Sequence, residues 1–360
     1  MIIYLGLAIA VIALFGLTFL NTPVFGAEPD QTHLKEAENF KDGIFHNQSV
    51  TETLTNGGNF FKILKEWINK AKDNVPPSIL PVVKTDLKNF HPTQPTIVWF
   101  GHSTYILFIE GKTVLVDPVF HKASPVSIFG KPFAMSYNYS TEDFPNIDVL
   151  LITHDHYDHL DYKAFKELLP KVDQIITSAG VESHLKLWGT KENQVTALKW
   201  NQSINLHSFQ FTALPARHFS GRKFKRANTL WSSFALKTEN CHLYLGGDSG
   251  FDNHFEEIGK NHGPFDLAIL ECGQYGKYWA NIHLLPEETV KATKQLNAKK
   301  LFPVHWGKFA LSTHSWTEPI ERLAIEAEKQ HLTLITPMIG EPFIFSEDKV
   351  YEKWWKKITS

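Results

Sequence analysis

The sequence predicts an α/β protein in which two β-sheets are covered by helices. Three observations lead there. Short β-rich runs cluster early, from residue 96. Strand and helix patterns alternate later in the chain. One run, "IDVLLIT", is apolar throughout, as a buried strand is. The elements follow in order. "TIVWF", "STYILFIE" and "KTVLVDP" are separated by "GH" and "GK" and read as a hairpin or meander. "IDVLLIT" over 147–153 is a fully apolar strand. A helix is expected over 160–169, then the strand "QIITS" and a helix over 181–188. "SINLHSFQFTALPA" reads as two strands; "LWSSFALKT", "CHLYLGGD" and "DLAILEC" as further ones. "LPEETVKATKQLN" is a helix opening with Pro286 and two glutamates, as helix starts prefer. "KLFPVHWG" is a strand, "TEPIERLAIEAEKQH" a helix and "LTLITP" a last strand. No internal repeat is visible.

The chain has 360 residues with 43% hydrophobic content, enough for one large domain or two ordinary ones. Lysine plus arginine number 36 against 38 aspartate plus glutamate. There is no basic excess, so nucleic acid is not an expected partner. Eighteen histidines direct attention to metal chemistry. Oligomeric state is not legible.

Residues 2–20 carry no charge. As a helix they would span about 28 Å, close to a bilayer's hydrocarbon core. Residues 1–27 therefore read as a membrane anchor or a cleaved signal peptide, with Gly26 and Ala27 near a possible cut. Either places the rest of the chain at a membrane or exported, with the catalytic part extracytoplasmic. Residues 28–95 are polar and Pro-broken, an extension expected to pack on the core. Within it, Phe60, Phe61, Leu64, Trp67, Ile68 and Ala71 recur at helical spacing over 59–73. A helix packed on the main domain is expected, with membrane or substrate contact as the alternative. Residues 96–360 form the main domain.

The chemistry concentrates in "LLITHDHYDHLD", residues 150–161. His154, His156, Asp158 and His159 follow directly on an apolar strand. Neutral imidazole and carboxylate suit zinc, iron or manganese. Four such groups in six positions would be costly as a buried cluster without a cation. The bland alternative is a solvated loop. The same pattern, an apolar strand ending in a ligand-type residue, recurs at His218, Asp248 and His305. Tyr157 and Asp155 are expected outside the ligand set, and Asp161 as a helix cap or support.

These motifs resemble the metallo-β-lactamase superfamily over roughly residues 96–345. "IVWFGHSTYILFIEGKTVLVDPVF", "PARHFSGR", "YLGGDSGF", "IHLLPEE", "PVHWGKFALS" and, upstream, "NFKDGIFHN" resemble its N-acyl-phosphatidylethanolamine-hydrolysing phospholipase D group and bacterial relatives. The resemblance implies an αββα sandwich with two divalent metal ions, zinc first and iron or manganese as alternatives. His154, His156 and His218 would hold one metal. Asp158, His159 and His305 would hold the other. Asp248 would bridge them, with a water or hydroxide completing the bridge. Asp158, Asp248 and His283 are the residues expected to carry the chemistry. His283 would contact substrate or move a proton; a structural role at a helix start is the alternative. His102 and Asp117 are expected to orient ligand histidines. In this fold the strands holding Cys241 and Cys272 should run parallel, leaving the two thiols free at opposite ends, roughly 15–20 Å apart.

The implied activity is a phospholipase D-like phosphodiesterase acting on N-acyl-phosphatidylethanolamine or a related phospholipid at a membrane surface. A lactonase or other carbonyl hydrolase acting on a small-molecule ester is the alternative. A non-catalytic metal module would lack at least one ligand, and none is missing.

Overall fold

The computed structural model describes residues 4, 14, 16–126, 128–347 and 349–358. In the extension, β1 (Phe40–Lys41) and β2 (Ile44–Phe45) form a two-stranded ribbon. The main body has two seven-stranded sheets. The first contains β3 (Thr96–Trp99), β4 (Tyr105–Ile109), β5 (Lys112–Val116), β6 (Ile147–Ile152), β7 (Val172–Ser178) and β8 (Val195–Leu198). The second contains β9 (Ser203–Leu206), β10 (Phe209–Leu214), β11 (Ser233–Lys237), β12 (His242–Leu245), β13 (Leu267–Glu271), β14 (Lys300–Val304) and β15 (Thr333–Leu334). The last strand, β16 (Pro342–Ile344), returns to pair with β3 and gives the first sheet the order β16-β3-β4-β5-β6-β7-β8. Both sheets share one plan: the first four strands in spatial order pair antiparallel, the next three parallel. The topology repeats although the sequence does not.

Strand alternation decides the layers. Trp99, Tyr105, Leu107, Val114, Val116 and Leu151 point between the sheets, against Phe211, Phe234, Leu243, Leu245 and Ile269. Their neighbours Val98, Phe100, Ile106, Leu115, Leu150 and Ile152 point to the other face. There they meet Phe165 and Leu168 of the helix Tyr162–Leu168 and Leu185 of the helix Glu182–Leu187. The helices His254–His262, Pro286–Gln295 and Glu318–Lys329 cover the second sheet through Phe255, Ile258, Val290, Ile320 and Leu323. Strands with two apolar faces need a layer on each side, and the result is an αββα sandwich.

β12 and β13 run parallel, with Cys241 before one strand and Cys272 after the other; both thiols are free and buried. Next to His305, Trp306 is buried between Trp99 and Trp354, stacked at ring centroids 5.2 Å and 5.4 Å apart. Trp306→Ala is expected to lower unfolding free energy by ~3–5 kcal/mol in chemical denaturation, because the cavity cannot collapse between two rigid indoles.

The extension binds the core through Leu34, Phe40 and Phe45, which pack on Ala216, Leu230 and Trp231. Its helix behaves otherwise. Helix Phe60–Ile68 is capped by Asn59, whose side chain accepts from the Lys62 amide at 3.1 Å. None of its residues is buried, so the expectation of a helix packed on the main domain is corrected. The helical periodicity was legible, but nothing in it says whether the apolar stripe meets protein. The apolar segment over 2–20 lies largely outside the described residues. Among the described residues no helix is long and apolar enough to cross a membrane.

Candidate metal centre

Each ligand-type residue stands where a strand ends. β6 delivers His154, His156, Asp158 and His159; β10, β12 and β14 deliver His218, Asp248 and His305. The strand ends that carry them share a direction within each sheet, because β5, β6 and β7 run parallel, as do β12, β13 and β14, and β10 runs the same way as β12 through the antiparallel β11. The ligand atoms of His154, His156, His218 and Asp248 all lie within 4.8 Å of one another. Those of His102, Asp158, His159 and His305 form a second such group. One carboxylate spans both. Asp248 Oδ1 is 3.1 Å from His159 Nε2 and 3.3 Å from His305 Nε2. Its Oδ2 is 3.9 Å from His154 Nε2 and 3.7 Å from His218 Nε2.

The rings are oriented from behind. His159 Nδ1 pairs with Asp117 Oδ2 at 2.8 Å, His218 Nδ1 with the Ile282 carbonyl at 2.8 Å, and His305 Nδ1 with the Gly273 carbonyl at 3.2 Å. His154 Nδ1 meets the Thr153 hydroxyl at 3.0 Å, itself bonded to Asp117. These contacts leave Nε2 for the site. His156 instead turns Nδ1 inward, 3.0 Å from His154 Nε2. Asp117 thus orients a ligand-type histidine as expected. His102 acts differently: its Nε2 pairs with Asp158 Oδ2 at 3.1 Å, so it steadies a carboxylate rather than an imidazole. His102, Asp117 and His305 all hold left-handed backbone, at φ 53°, 41° and 68°. Such strain in non-glycine residues costs about 1–3 kcal/mol each and persists where packing over-determines it.

The donor set fits divalent cations. His159 Nε2, His305 Nε2 and Asp248 Oδ1 are buried without a hydrogen-bond partner, which protein interiors rarely tolerate. Burial holds His154, His156 and His218 below the ordinary imidazole range, in the neutral form a metal needs. Burial also opposes charge on His159, but the Asp248 and Asp158 carboxylates override it and raise the ring to about 10. Against the same burial, neighbouring imidazoles, His159 foremost, hold Asp158 and Asp248 well below the usual carboxylate range. The carboxylates therefore demand positive charge here, and cations would supply it in place of those protons.

The remaining predicted residues separate as expected. Asp161 caps the helix Tyr162–Leu168 by accepting from the amides of Lys163 and Ala164. Asp155 is buried away from the ligand atoms, accepting from the Gly221 amide and paired with His184. Tyr157 donates to the Arg222 carbonyl. His283 joins the centre, its Nδ1 2.7 Å from Glu271 Oε2.

Two contributors went unread in the sequence. Glu271 ends β13 and is buried; its Oε1 accepts from the Ser249 amide at 2.6 Å while Oε2 serves His283. It obeys the strand-end pattern that marked the ligands, so that pattern could have found it. Asn47, in the extension, brackets His218: it donates to the His218 carbonyl at 2.8 Å and accepts from the His218 amide at 3.1 Å.

A family model, the beta-lactamase superfamily domain, matches residues 112–306. An N-acyl-phosphatidylethanolamine-hydrolyzing phospholipase D of Caenorhabditis elegans is 33% identical over 320 residues, 82% of this chain and 88% of that one. An uncharacterised protein of Mycobacterium bovis is 34% identical over 328 residues, 89% of this chain and 88% of that one. A metallo hydrolase of Ignicoccus hospitalis shares the fold at a TM-score of 0.54 and 20% identity, covering 71% of this chain and all of that one. Fold, donor set and relatives agree: the chain belongs to the metallo-β-lactamase superfamily and is a metal-dependent hydrolase.

Proposed function

We propose that the protein is a phospholipase D-like phosphodiesterase acting on N-acyl-phosphatidylethanolamine or a related phospholipid. The observation that carries this is the double His/Asp cluster spanned by Asp248, with His283 beside it, in a chain similar along most of its length to the Caenorhabditis elegans enzyme. His154, His156 and His218 would hold one cation and Asp158, His159 and His305 the other, with Asp248 shared; zinc is the first candidate. Bound cations would acidify a water and offset charge on the phosphoryl oxygens.

The chain's own groups supply the rest. His102 and Asp117 hold Asp158 and His159 in place. With its Nδ1 engaged by Glu271, His283 keeps Nε2 for a proton. In the reaction water adds to phosphorus and gives up one proton, the P–O bond to the N-acylethanolamine breaks, and His283 passes a proton to the departing alcohol oxygen, the proton released by the water restoring the balance. His283 and Asp158 retain partial side-chain exposure, 12% and 15%, and so are open to an entering substrate. The catalytic domain is proposed to act outside the cytoplasm, tethered or exported by the N-terminal segment.

The test is turnover by the purified full chain. N-acyl-phosphatidylethanolamine should be cleaved to phosphatidic acid and N-acylethanolamine, with loss on chelation and recovery on adding zinc, iron or manganese. Turnover of lactones without any phosphodiester cleavage would replace this reading with the carbonyl-hydrolase one.

A further inference from the structure

Four phenylalanines are exposed among the described residues: Phe60 at 71%, Phe61 at 79%, Phe129 at 61% and Phe224 at 87%. All four belong to segments tied to the strand ends that carry the metal centre. Phe224 lies in the loop after His218, which is pinned beneath the site. The Gly221 amide donates to Asp155 Oδ1 at 2.7 Å, and Arg222 donates to the Asp155 and Leu160 carbonyls at 2.7 Å and 2.8 Å. Phe129 lies in the segment after Asp117; that segment bonds back through the Phe133 amide to the Lys308 carbonyl, close after His305. Helix Phe60–Ile68 is approached through Thr55, whose amide donates to the Tyr278 carbonyl in the His283 loop. It is left through Ala71, whose amide donates to the Thr313 carbonyl in the His305 loop. Leu64, Ile68 and Ile128 on the same segments are exposed as well. Isolated exposed apolar residues need no explanation, but four phenylalanines on segments all bonded to the loops of one site do.

Charge points the same way. In "GRKFKR" the exposed Lys223, Lys225 and Arg226 surround Phe224, in a chain whose formal net charge is -2. The foot of the apolar N-terminal segment sits on this loop too. The Val24 carbonyl accepts from Arg222 Nε at 3.0 Å and Nη2 at 2.9 Å. Trp188 Nε1 donates to the Pro23 carbonyl at 2.7 Å, and Phe25 meets the edge of Tyr157, between the ligand residues His156 and Asp158. An apolar segment seated in a bilayer would hold this end of the molecule against that bilayer.

We propose that the metal-centre end is a lipid-docking face for an anionic bilayer. Phe60, Phe61, Phe129 and Phe224 enter the acyl boundary, and Lys223, Lys225 and Arg226 meet the phosphates. The choice of a lipid as occupant rests on the phospholipid reading above; the exposed face and its charge do not.

The test uses the full chain with an environment-sensitive nitrobenzoxadiazole label on Phe129→Cys or Phe224→Cys. Cys241 and Cys272 are buried and leave the introduced thiol as the reactive one. Vesicles of phosphatidylcholine with phosphatidylglycerol should shift the emission to the blue. Phosphatidylcholine alone or high salt should weaken the shift, since screening removes the charge contribution. A second arm replaces Phe60, Phe61, Phe129 and Phe224 together by aspartate. Vesicle-borne phospholipid should then turn over about tenfold more slowly, with monomeric short-chain phosphodiester cleaved at the wild-type rate. A label that stays water-like while the chain is bound to vesicles overturns the docking face. So does a blue shift that grows with protein concentration without vesicles, which would mean a second copy occupies it. A blue shift on vesicles in a protein that cleaves no phosphodiester keeps the docking face and sinks the phospholipase reading.

Discussion

Asp248→Asn is expected to lower turnover by about two to three orders of magnitude, since the lost charge stabilisation amounts to several kcal/mol. The bound metal should fall below two equivalents per chain. The reason is geometric. Asp248 places one oxygen against His159 and His305 and the other toward His154 and His218, so its carboxylate reaches both groups. Asparagine keeps the shape but offers a single neutral acceptor oxygen, and its amide nitrogen faces imidazoles or a cation. Elemental analysis of the purified variant beside steady-state rates checks both halves. Wild-type turnover with two metals still bound would remove Asp248 from the centre.

Glu271→Gln should lower kcat by about 10- to 100-fold, the usual effect of losing a partner that orients a site residue, with metal content and KM nearly unchanged. The carboxylate accepts on both oxygens, from the Ser249 amide and from His283. Glutamine can accept on only one of them, and its amide then opposes a donor on the other side. His283 would lose its fixed tautomer or its place. On the proposed mechanism Glu271 is a positioning residue, acting through His283. The discriminating readout is the leaving group. A p-nitrophenyl phosphodiester departs without needing a proton, so the loss should shrink sharply with that substrate. An equal loss with both substrates, together with missing metal, would instead assign Glu271 to supporting His305, whose Nδ1 lies 3.3 Å away.

Much of this centre is visible in the chain alone. "THDHYDH" announces its donors because their chemistry and spacing are local, and the apolar runs before them announce buried strands. The antiparallel start over β3, β4 and β5 is legible for the same reason: adjacent strands joined by short turns pair with each other. Strands β8 and β16 were not legible. β16 is three residues long and exists because β3, far back in the chain, offers it an edge. The amphipathic stripe of residues 60–68 marks a helix in the sequence, but not whether that helix packs on the domain or stays uncovered, as it does here. Periodicity fixes which side chains share a face, while burial depends on whether another element arrives to cover it.

The sequence by itself determined the ligand-type residues, the strands that end in them and a class of two sheets covered by helices, because residue chemistry and periods of two and 3.6 are properties of neighbours. Only the tertiary structure decided that Glu271 holds His283, that Asn47 brackets His218, that His102 steadies Asp158, and that helix Phe60–Ile68 stays uncovered. The first three join separate segments of the chain. Such contacts form only where two sheets and their parallel strand ends are brought to one place.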